Sequence, residues 1–551
     1  MHPSLVILPA LLIFYIIFYA PIGFENNDSG FITGLAYQVA NGLNLYSDII
    51  YVRPPITPML HSLVFCWPLK FAPLYADRVL FFTQIALSSW LSASMIGRLA
   101  GWSPTWIACA ASAAFMVSAH GFPPMGWHTV DGVLFSVIAM YTLQKGLNGH
   151  HRFFAYSGIS ALLAAGTKQS FYPIIPLEII VLAYCRATTN QYLWLITPAF
   201  AIAASAIAYS SWAGIFADLI DSISSQTSLP DLIEAGLQSY ISDLKSKPTF
   251  IVFLATLSAT TYSLKKNQKN DTAAYWLTVF AILAIVGFVA EIYLSATQWQ
   301  HPSSIFDATY VATLTTCCVF FIFNRKESVW LWLLSLHAIA WMASISWGYQ
   351  TVSLYMAPSV LLLAHALQKS AKEQQALRIL SAAAIPTLIA LFFISHRYFY
   401  SLEGPSPRQE NSHEFGTLSS AFNKILVSEK IYKDYADVKH LAEFHRKPFV
   451  VLPNMPAAHL MMHQVNPIGI DWPLNAEVGG FDEKIRGRLN NNVGYAFIRV
   501  APGSKTELNG KFGSKTTFFI TENWRRLYRY GDFDVYRNPN IEGTEDNAAA
   551  K

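Results

Sequence analysis

The chain has 551 residues, of which 53% are hydrophobic and only 13% charged, with a net charge of +4. Soluble globular proteins carry about 25% charged residues, so the composition argues against an ordinary soluble enzyme. The small net charge argues against a nucleic-acid binder, and five cysteines over this length against a disulfide-built scaffold.

The charges are unevenly placed. Residues 397–551 hold 38 of the 72 charged side chains, leaving 34 for the first 396 residues. A long apolar region must satisfy its backbone polar groups internally, which helices do. The expected fold is therefore a polytopic α-helical membrane protein followed by an α/β domain. Residues 1–396 form the transmembrane domain, and 397–551 form a soluble extracytoplasmic C-terminal domain.

In chain order, helices are predicted near 4–20, 76–97, 103–119, 129–144, 153–167, 171–185, 192–212, 249–263, 273–293, 306–323, 328–345, 351–368 and 379–396, about thirteen transmembrane helices by hydropathy. The first reads as an uncleaved span rather than a signal peptide, having no basic start. Segment 31–42 reads as a surface helix ended by Gly42. Segment 55–72 carries Pro55, Pro58 and Pro68 and reads as an interfacial or re-entrant helix. Lys and Arg concentrate in the short connections on one side, so the positive-inside rule puts the N-terminus in the cytoplasm. An odd number of spans then puts loops 21–75 and 213–248, and the tail, outside. The outer loop 213–248 contains two amphipathic runs, SWAGIFADLIDSISS and LIEAGLQSYISDL.

Four ionisable residues fall at that outer face on separate stretches: Asp28 in FENNDSGF, Arg53 in YVRPPITP, Asp131 in GWHTVDGVLF and Lys168 in AAGTKQSFYP. Ionisable groups at membrane depth are costly and mark function. Each has a bland reading: Asp28 and Asp131 as helix caps, Arg53 as a snorkelling side chain. Lys168, breaking an apolar hairpin, is harder to dismiss. His128 reads as a solvated loop histidine with an assisting role as the sharper alternative.

The stretch from Asp28 to Pro55, with NGLNLYSDIIYVRPP inside it, resembles the first outer loop of membrane glycosyltransferases of the GT-C superfamily. It is most similar to the branch holding the aminoarabinose transferase of lipid A, the rhizobial galacturonosyltransferases and the protein O-mannosyltransferases. Gly42, Tyr46 and Asp48 match that branch's turn, and Tyr51, Arg53, Pro54 and Pro55 its Tyr–x–Lys/Arg–Pro–Pro element. Asp131 matches an acid at the outer start of a later span, and Gly166 with Lys168 a Gly–x–Lys break. FVVLPNMPAAHLMMHQVNPIGIDWP (449–473) resembles its outer domain. The departures are Arg for the more frequent Lys at position 53, and Ser29 where many relatives have a second acid.

The resemblance implies sugar transfer from a polyprenyl-phosphate carrier to a glycan, lipid or protein acceptor, inverting, at the outer membrane face; that face is expected to be the periplasmic side of a bacterial inner membrane, with a lumenal side as the alternative. Membrane lipids are the other partner, and no nucleic acid is expected. Asp28 would be the catalytic base and Arg53 and Lys168 would bind the donor phosphate. Asp131, Tyr51 and His128 would orient substrate. A divalent cation is the one cofactor left open. Rival classes are a polytopic transporter and a polymerase or ligase of polyprenyl-linked glycans. The transporter lacks an internal repeat here, and the polymerase a large late loop.

Glu178, Glu291, His301, Asp307, Gly348, Tyr349 and Gln350 read as packing or acceptor-cavity residues. In the tail, 401–416 reads as a linker, 417–446 as helices and AAHLMMHQ as a helix. FVVLP (449–453), YAFIRV (495–500), TTFFITE (516–522) and FDVYRN (533–538) read as strands.

Overall fold

The computed structural model describes residues 4–225, 303–345, 354–373, 408–500 and 513–541, except 25, 27, 67, 325 and 326. The chain is mostly helical, with a small sheet domain at its C-terminal end. The first block holds α1 (Ser4–Phe18), α2 (Phe31–Ala40), α3 (Ile56–Ser62), α4 (Pro73–Ala100), α5 (Pro104–His120), α6 (His128–Leu147), α7 (Arg152–Ala165), α8 (Ile174–Tyr184), α9 (Thr189–Trp212) and α10 (Phe216–Ser224). Then come α11 (Ser303–Phe323), α12 (Val329–Ser344) and α13 (Ala357–Glu373).

Local chemistry sets the ends. Pro73 starts α4 and Gly101, at φ 64°, stops it. Ser103 caps α5 by accepting from the Trp106 amide at 3.2 Å, and a Thr188/Gln191 capping box opens α9. Helix α7 lies so close to α9 that a Cβ on Gly158 would stand 2.0 Å from the Leu195 carbonyl oxygen. Phe82, Phe115, Met140, Phe154, Trp330 and Leu361 sit in one buried core shared by α4, α5, α6, α7, α12 and α13.

Every expected span that falls on described residues is a helix. Among those residues, only α4 and α9 are both long and apolar enough to cross a membrane. Helix α9 keeps most of its surface uncovered, with Phe200 70% and Trp212 83% exposed. Expected segments 249–263, 273–293 and 379–396 lie outside the described residues, as do Glu291, His301, Gly348, Tyr349 and Gln350. Of the outer loop 213–248, α10 covers the first run and the second lies outside them. Segment 55–72 is α3 followed by two short 3₁₀ turns, 63–65 and 69–71.

The C-terminal elements are β1 (Asn411–Glu414), β2 (Leu426–Ser428), α14 (Glu429–His445), β3 (Phe449–Leu452), α15 (Ala458–Met461), α16 (Asn475–Val478), α17 (Asp482–Asn492), β4 (Tyr495–Arg499), α18 (Lys515–Asn523), β5 (Arg525–Tyr530) and β6 (Phe533–Arg537). The sheet order is β3-β4-β6-β5, with β3 and β4 parallel and the rest antiparallel. Two expectations are corrected. TTFFITE is not a strand but lies in α18. Ser514 caps that helix by accepting from the Thr517 amide at 3.2 Å, and Thr516, Thr517 and Ile520 bury one helical face. Segment 417–446 is not helical throughout: its α-helix is α14, preceded by the β1–β2 pair and 3₁₀ turns.

This domain is built into the segments 21–24 and 38–50. After α1 the chain pairs with β2: Gly23 donates to the Leu426 carbonyl at 2.8 Å, and Leu426 donates to Pro21 at 2.7 Å. Phe24 then packs against Phe415, Phe422 and Tyr435. Arg488 donates to the Ser47 and Asp48 carbonyls at 2.7 and 2.6 Å, and Lys484 to Tyr46 at 3.0 Å. Ile50 donates to Gly469 at 2.9 Å, and Gln38 binds the Asp471 carboxylate.

Candidate active site

The site grows from three loops. The first joins α1 to α2. Asp28 offers its backbone carbonyl to the Phe31 amide at 3.1 Å, and α2 has no side-chain cap. Gly30, not Asp28, stands at the N-cap of this helix. The loop turns at Gly30, φ 84°, where a Cβ would lie 2.7 Å from the Ala457 methyl. Only glycine makes that turn against the C-terminal domain without strain.

The second loop carries the Tyr–x–Arg–Pro–Pro element. The Asp48 carboxylate accepts from the Asn44 amide at 2.9 Å, and the Tyr46 hydroxyl donates to the Arg53 carbonyl at 2.9 Å. These bonds shape the turn that delivers Tyr51 and Arg53 inward, both about 1% exposed. Arg53 does not snorkel. Its two terminal nitrogens hold both carboxylate oxygens of Glu477, on α16 of the C-terminal domain. A planar guanidinium fork meeting a carboxylate in this way is the strong form of an ion pair.

The third loop joins α7 to α8. Ile56 donates to the Gly166 carbonyl at 2.9 Å, and Gln169 donates to the Val52 carbonyl at 2.8 Å. A Cβ on Gly166 would lie 2.5 Å from Ile56, so the glycine of the Gly–x–Lys break lets the second and third loops touch. Lys168 follows, 4% exposed, its ammonium 3.4 Å from the Thr129 hydroxyl. Phe171 locks this turn on α6: a Cβ on Gly132 would stand 2.2 Å from its ring.

Asp28, Arg53, Lys168 and Glu477 share one electrostatic neighbourhood. Burial and the Glu477 charge push the Asp28 carboxyl up to about 7, with Arg53 opposing. Burial and Arg53 press the Lys168 ammonium down to about 7, with Glu477 opposing. One acid and one base thus both titrate near neutrality, a pattern that clusters at functional sites.

Buried polar atoms surround these charges. Among the described residues, the Tyr51 hydroxyl and both ring nitrogens of His128 have no hydrogen-bond partner, nor do the Ser170 hydroxyl, the Gln169 side-chain oxygen and the Trp127 indole nitrogen. His128 is not a solvated loop histidine. It begins α6, fully buried, its ring tilted against Trp127 at 4.5 Å between centroids and within Coulombic reach of Arg53 and Lys168. Leaving a buried polar group unsatisfied costs about 1–3 kcal/mol, so these groups are free to hydrogen-bond a polar ligand.

Asp131 belongs to a second, deeper layer. It neither caps α6 nor faces Arg53. Its carboxylate accepts from Thr57 at 2.8 Å and Gln84 at 2.6 Å, and meets His61 at 3.2 Å. The other nitrogen of His61 binds Asp77, which also accepts from Thr33 at 2.5 Å. Asp131 lies within Coulombic reach of Tyr51, so this layer backs the site from below.

Glu477, His61 and Asp77 escaped the sequence reading. His61 and Asp77 lie in or beside apolar segments without a motif, and Glu477 meets Arg53 across 424 positions. Among the described residues the donor set offers a divalent cation little: Ser29 follows Asp28, and Arg53 engages Glu477. Among the described residues, no three His, Cys, Asp or Glu side chains converge as a metal site.

No family model matches the chain, and no curated protein matches it. The solved structures it is similar to include the apo oligosaccharyltransferase of Archaeoglobus fulgidus, at 13% identity and a TM-score of 0.46, over 98% of this chain and 74% of that one. The archaeal oligosaccharyltransferase AglB from the same organism, in complex with an inhibitory peptide and a dolichol-phosphate, aligns at 12% and 0.46, over 90% and 69%. The Archaeoglobus fulgidus enzyme in complex with Zn and sulfate aligns at 13% and 0.43, over 97% and 73%. At TM-scores below 0.5 such a likeness assigns neither an activity nor a substrate.

Proposed function

We propose that the chain is an integral membrane glycosyltransferase. It takes a sugar from a polyprenyl-phosphate carrier and passes it, with inversion, to a glycan, lipid or protein acceptor at the outer membrane face. The observation that carries the reading is the electrostatic cluster of half-buried Asp28 with buried Arg53 and Lys168, lined by polar atoms of Tyr51 and His128 that have no hydrogen-bond partner among the described residues. The uncovered apolar surfaces of α8 and α9 support the membrane setting, with Ile180 61% and Tyr209 63% exposed.

In this reading the acceptor hydroxyl attacks the anomeric carbon and loses its proton to Asp28. The carbon–oxygen bond to the carrier phosphate breaks, and the phosphate leaves with the electron pair. Arg53 and Lys168 hold the charge that develops on it, in a site from which water is largely excluded. Tyr51 and His128 offer hydrogen bonds to the sugar, and Asp131 fixes their wall from behind. Residues 1–396 form the membrane domain, and 397–551 lie on the periplasmic side of a bacterial inner membrane.

The test is to incubate the purified protein with a polyprenyl-phosphate sugar and an acceptor pool and measure released polyprenyl phosphate. Asp28→Asn abolishes release while the protein stays folded, a loss of about 10²–10⁴-fold for a missing general base. Wild-type turnover in that variant removes the base assignment. Arg53→Ala and Lys168→Ala weaken donor use. Substrate flux without release favours a transporter.

A further inference from the structure

We infer that Glu477 is a displaceable plug: its carboxylate occupies the guanidinium fork of Arg53 in the donor-free protein and yields that fork to the donor's phosphate. The inference rests on the glycosyltransferase reading above.

The geometry poses the problem directly. The cation best shaped for a phosphate already holds a carboxylate, and both partners are nearly inaccessible, at 1% and 2%. A carboxylate and a phosphate diester each bring one negative charge and paired oxygens, so exchanging one for the other leaves the fork satisfied. A buried ion pair adds little net stability over alternatives that keep the charge paired, whereas an unpaired charge is expensive. An exchange of anions is accordingly tolerable where simple removal is not. Lys168 lies within Coulombic reach of Glu477 and offers the displaced carboxylate a second cation.

Glu477 is also not what docks its domain. Arg488 on Ser47 and Asp48, Lys484 on Tyr46, Ile50 on Gly469, Gln38 on Asp471 and Asn26 on Asp434 hold the C-terminal domain to the outer loops independently. The plug itself sits on α16, a single turn of four residues. Gly479, at φ 59°, ends it, packed so closely that a Cβ would lie 2.4 Å from the Ser225 hydroxyl and 3.3 Å from Val52. The exchange requires this one turn to loosen from Ser225 and Val52 while the anchors stay in place.

The experiment uses the full-length protein in detergent. Hydrogen–deuterium exchange is followed at residues 474–480 with and without a polyprenyl phosphate, and the affinity for that lipid is measured for the wild type and Glu477→Gln. Exchange at 474–480 is expected to rise on binding while exchange at 50–55 falls, and Glu477→Gln binds at least tenfold more tightly. The wild-type exchange measurement stands even if the variant does not fold. Lipid bound with unchanged exchange at 474–480, or a Glu477→Gln variant that binds no better, overturns the plug and leaves the donor reading intact. If neither wild type nor Glu477→Gln binds a polyprenyl phosphate, the donor reading fails and the plug with it.

Discussion

The near-neutral titration of Asp28 and Lys168 fixes the shape of the pH profile. Asp28 can accept a proton only when ionised, which requires a pH above about 7. Lys168 can stabilise a phosphate only when protonated, which requires a pH below about 7. The productive form, with Asp28 ionised and Lys168 protonated, is most populated near neutrality. The rate is therefore expected to follow a bell centred near pH 7 and to fall on either side. The acid limb belongs to Asp28 and the alkaline limb to Lys168. Replacing Lys168 by Arg separates them, because a guanidinium stays charged beyond about pH 12. In Lys168→Arg the alkaline limb disappears and the acid limb stays. The assay is kcat/KM for release of polyprenyl phosphate between pH 5 and 9. A flat wild-type profile, or an alkaline limb surviving unchanged in Lys168→Arg, refutes the assignment.

Two further outcomes follow from packing. In Gly132→Ala the added methyl meets the Phe171 ring. Overpacking of this kind costs about 1–3 kcal/mol, and because Phe171 locks the turn that carries Lys168, turnover is expected to drop more than tenfold in protein that still folds. Wild-type turnover there shows that Phe171 yields without moving Lys168. His61→Ala removes the imidazole between the buried carboxylates Asp77 and Asp131. Breaking a buried charge set costs about 3–5 kcal/mol, so the thermal midpoint in detergent falls by several degrees; an unchanged midpoint excludes the structural role given to that layer.

The helices were legible because hydropathy over a long window is a strong signal, and the described segments from 4–20 to 351–368 are helical where expected. Their status as spans is a different matter, since length and apolarity alone mark α4 and α9. The motif residues were legible too: Gly166, Tyr51, Arg53 and Lys168 meet around one site. Other features were hidden for identifiable reasons. TTFFITE has the β-branched and aromatic content of a strand, yet a serine cap and helical burial spacing decided for a helix. Strand β5, RRLYRY, escaped notice because it is an edge strand that is polar on both faces. Asp131 stood out by its place at the start of a helix, but its carboxylate faces a histidine that no motif announces. Glu477 meets Arg53 only through tertiary folding, so no local pattern points to it.

The pairing of Arg53 with Glu477 sets an order on biosynthesis. The turn at residues 44–53 leaves the ribosome early, but its partners on α16 and α17 are translated more than 400 positions later, Glu477 itself 424 after Arg53. At about 5–20 residues per second that interval is roughly 20–80 s. Throughout it the nascent turn has neither its counter-ion nor the Arg488 clasp. The arrangement around Arg53 is completed only once residue 488 has been made, so a chain interrupted before residue 477 leaves that guanidinium without Glu477.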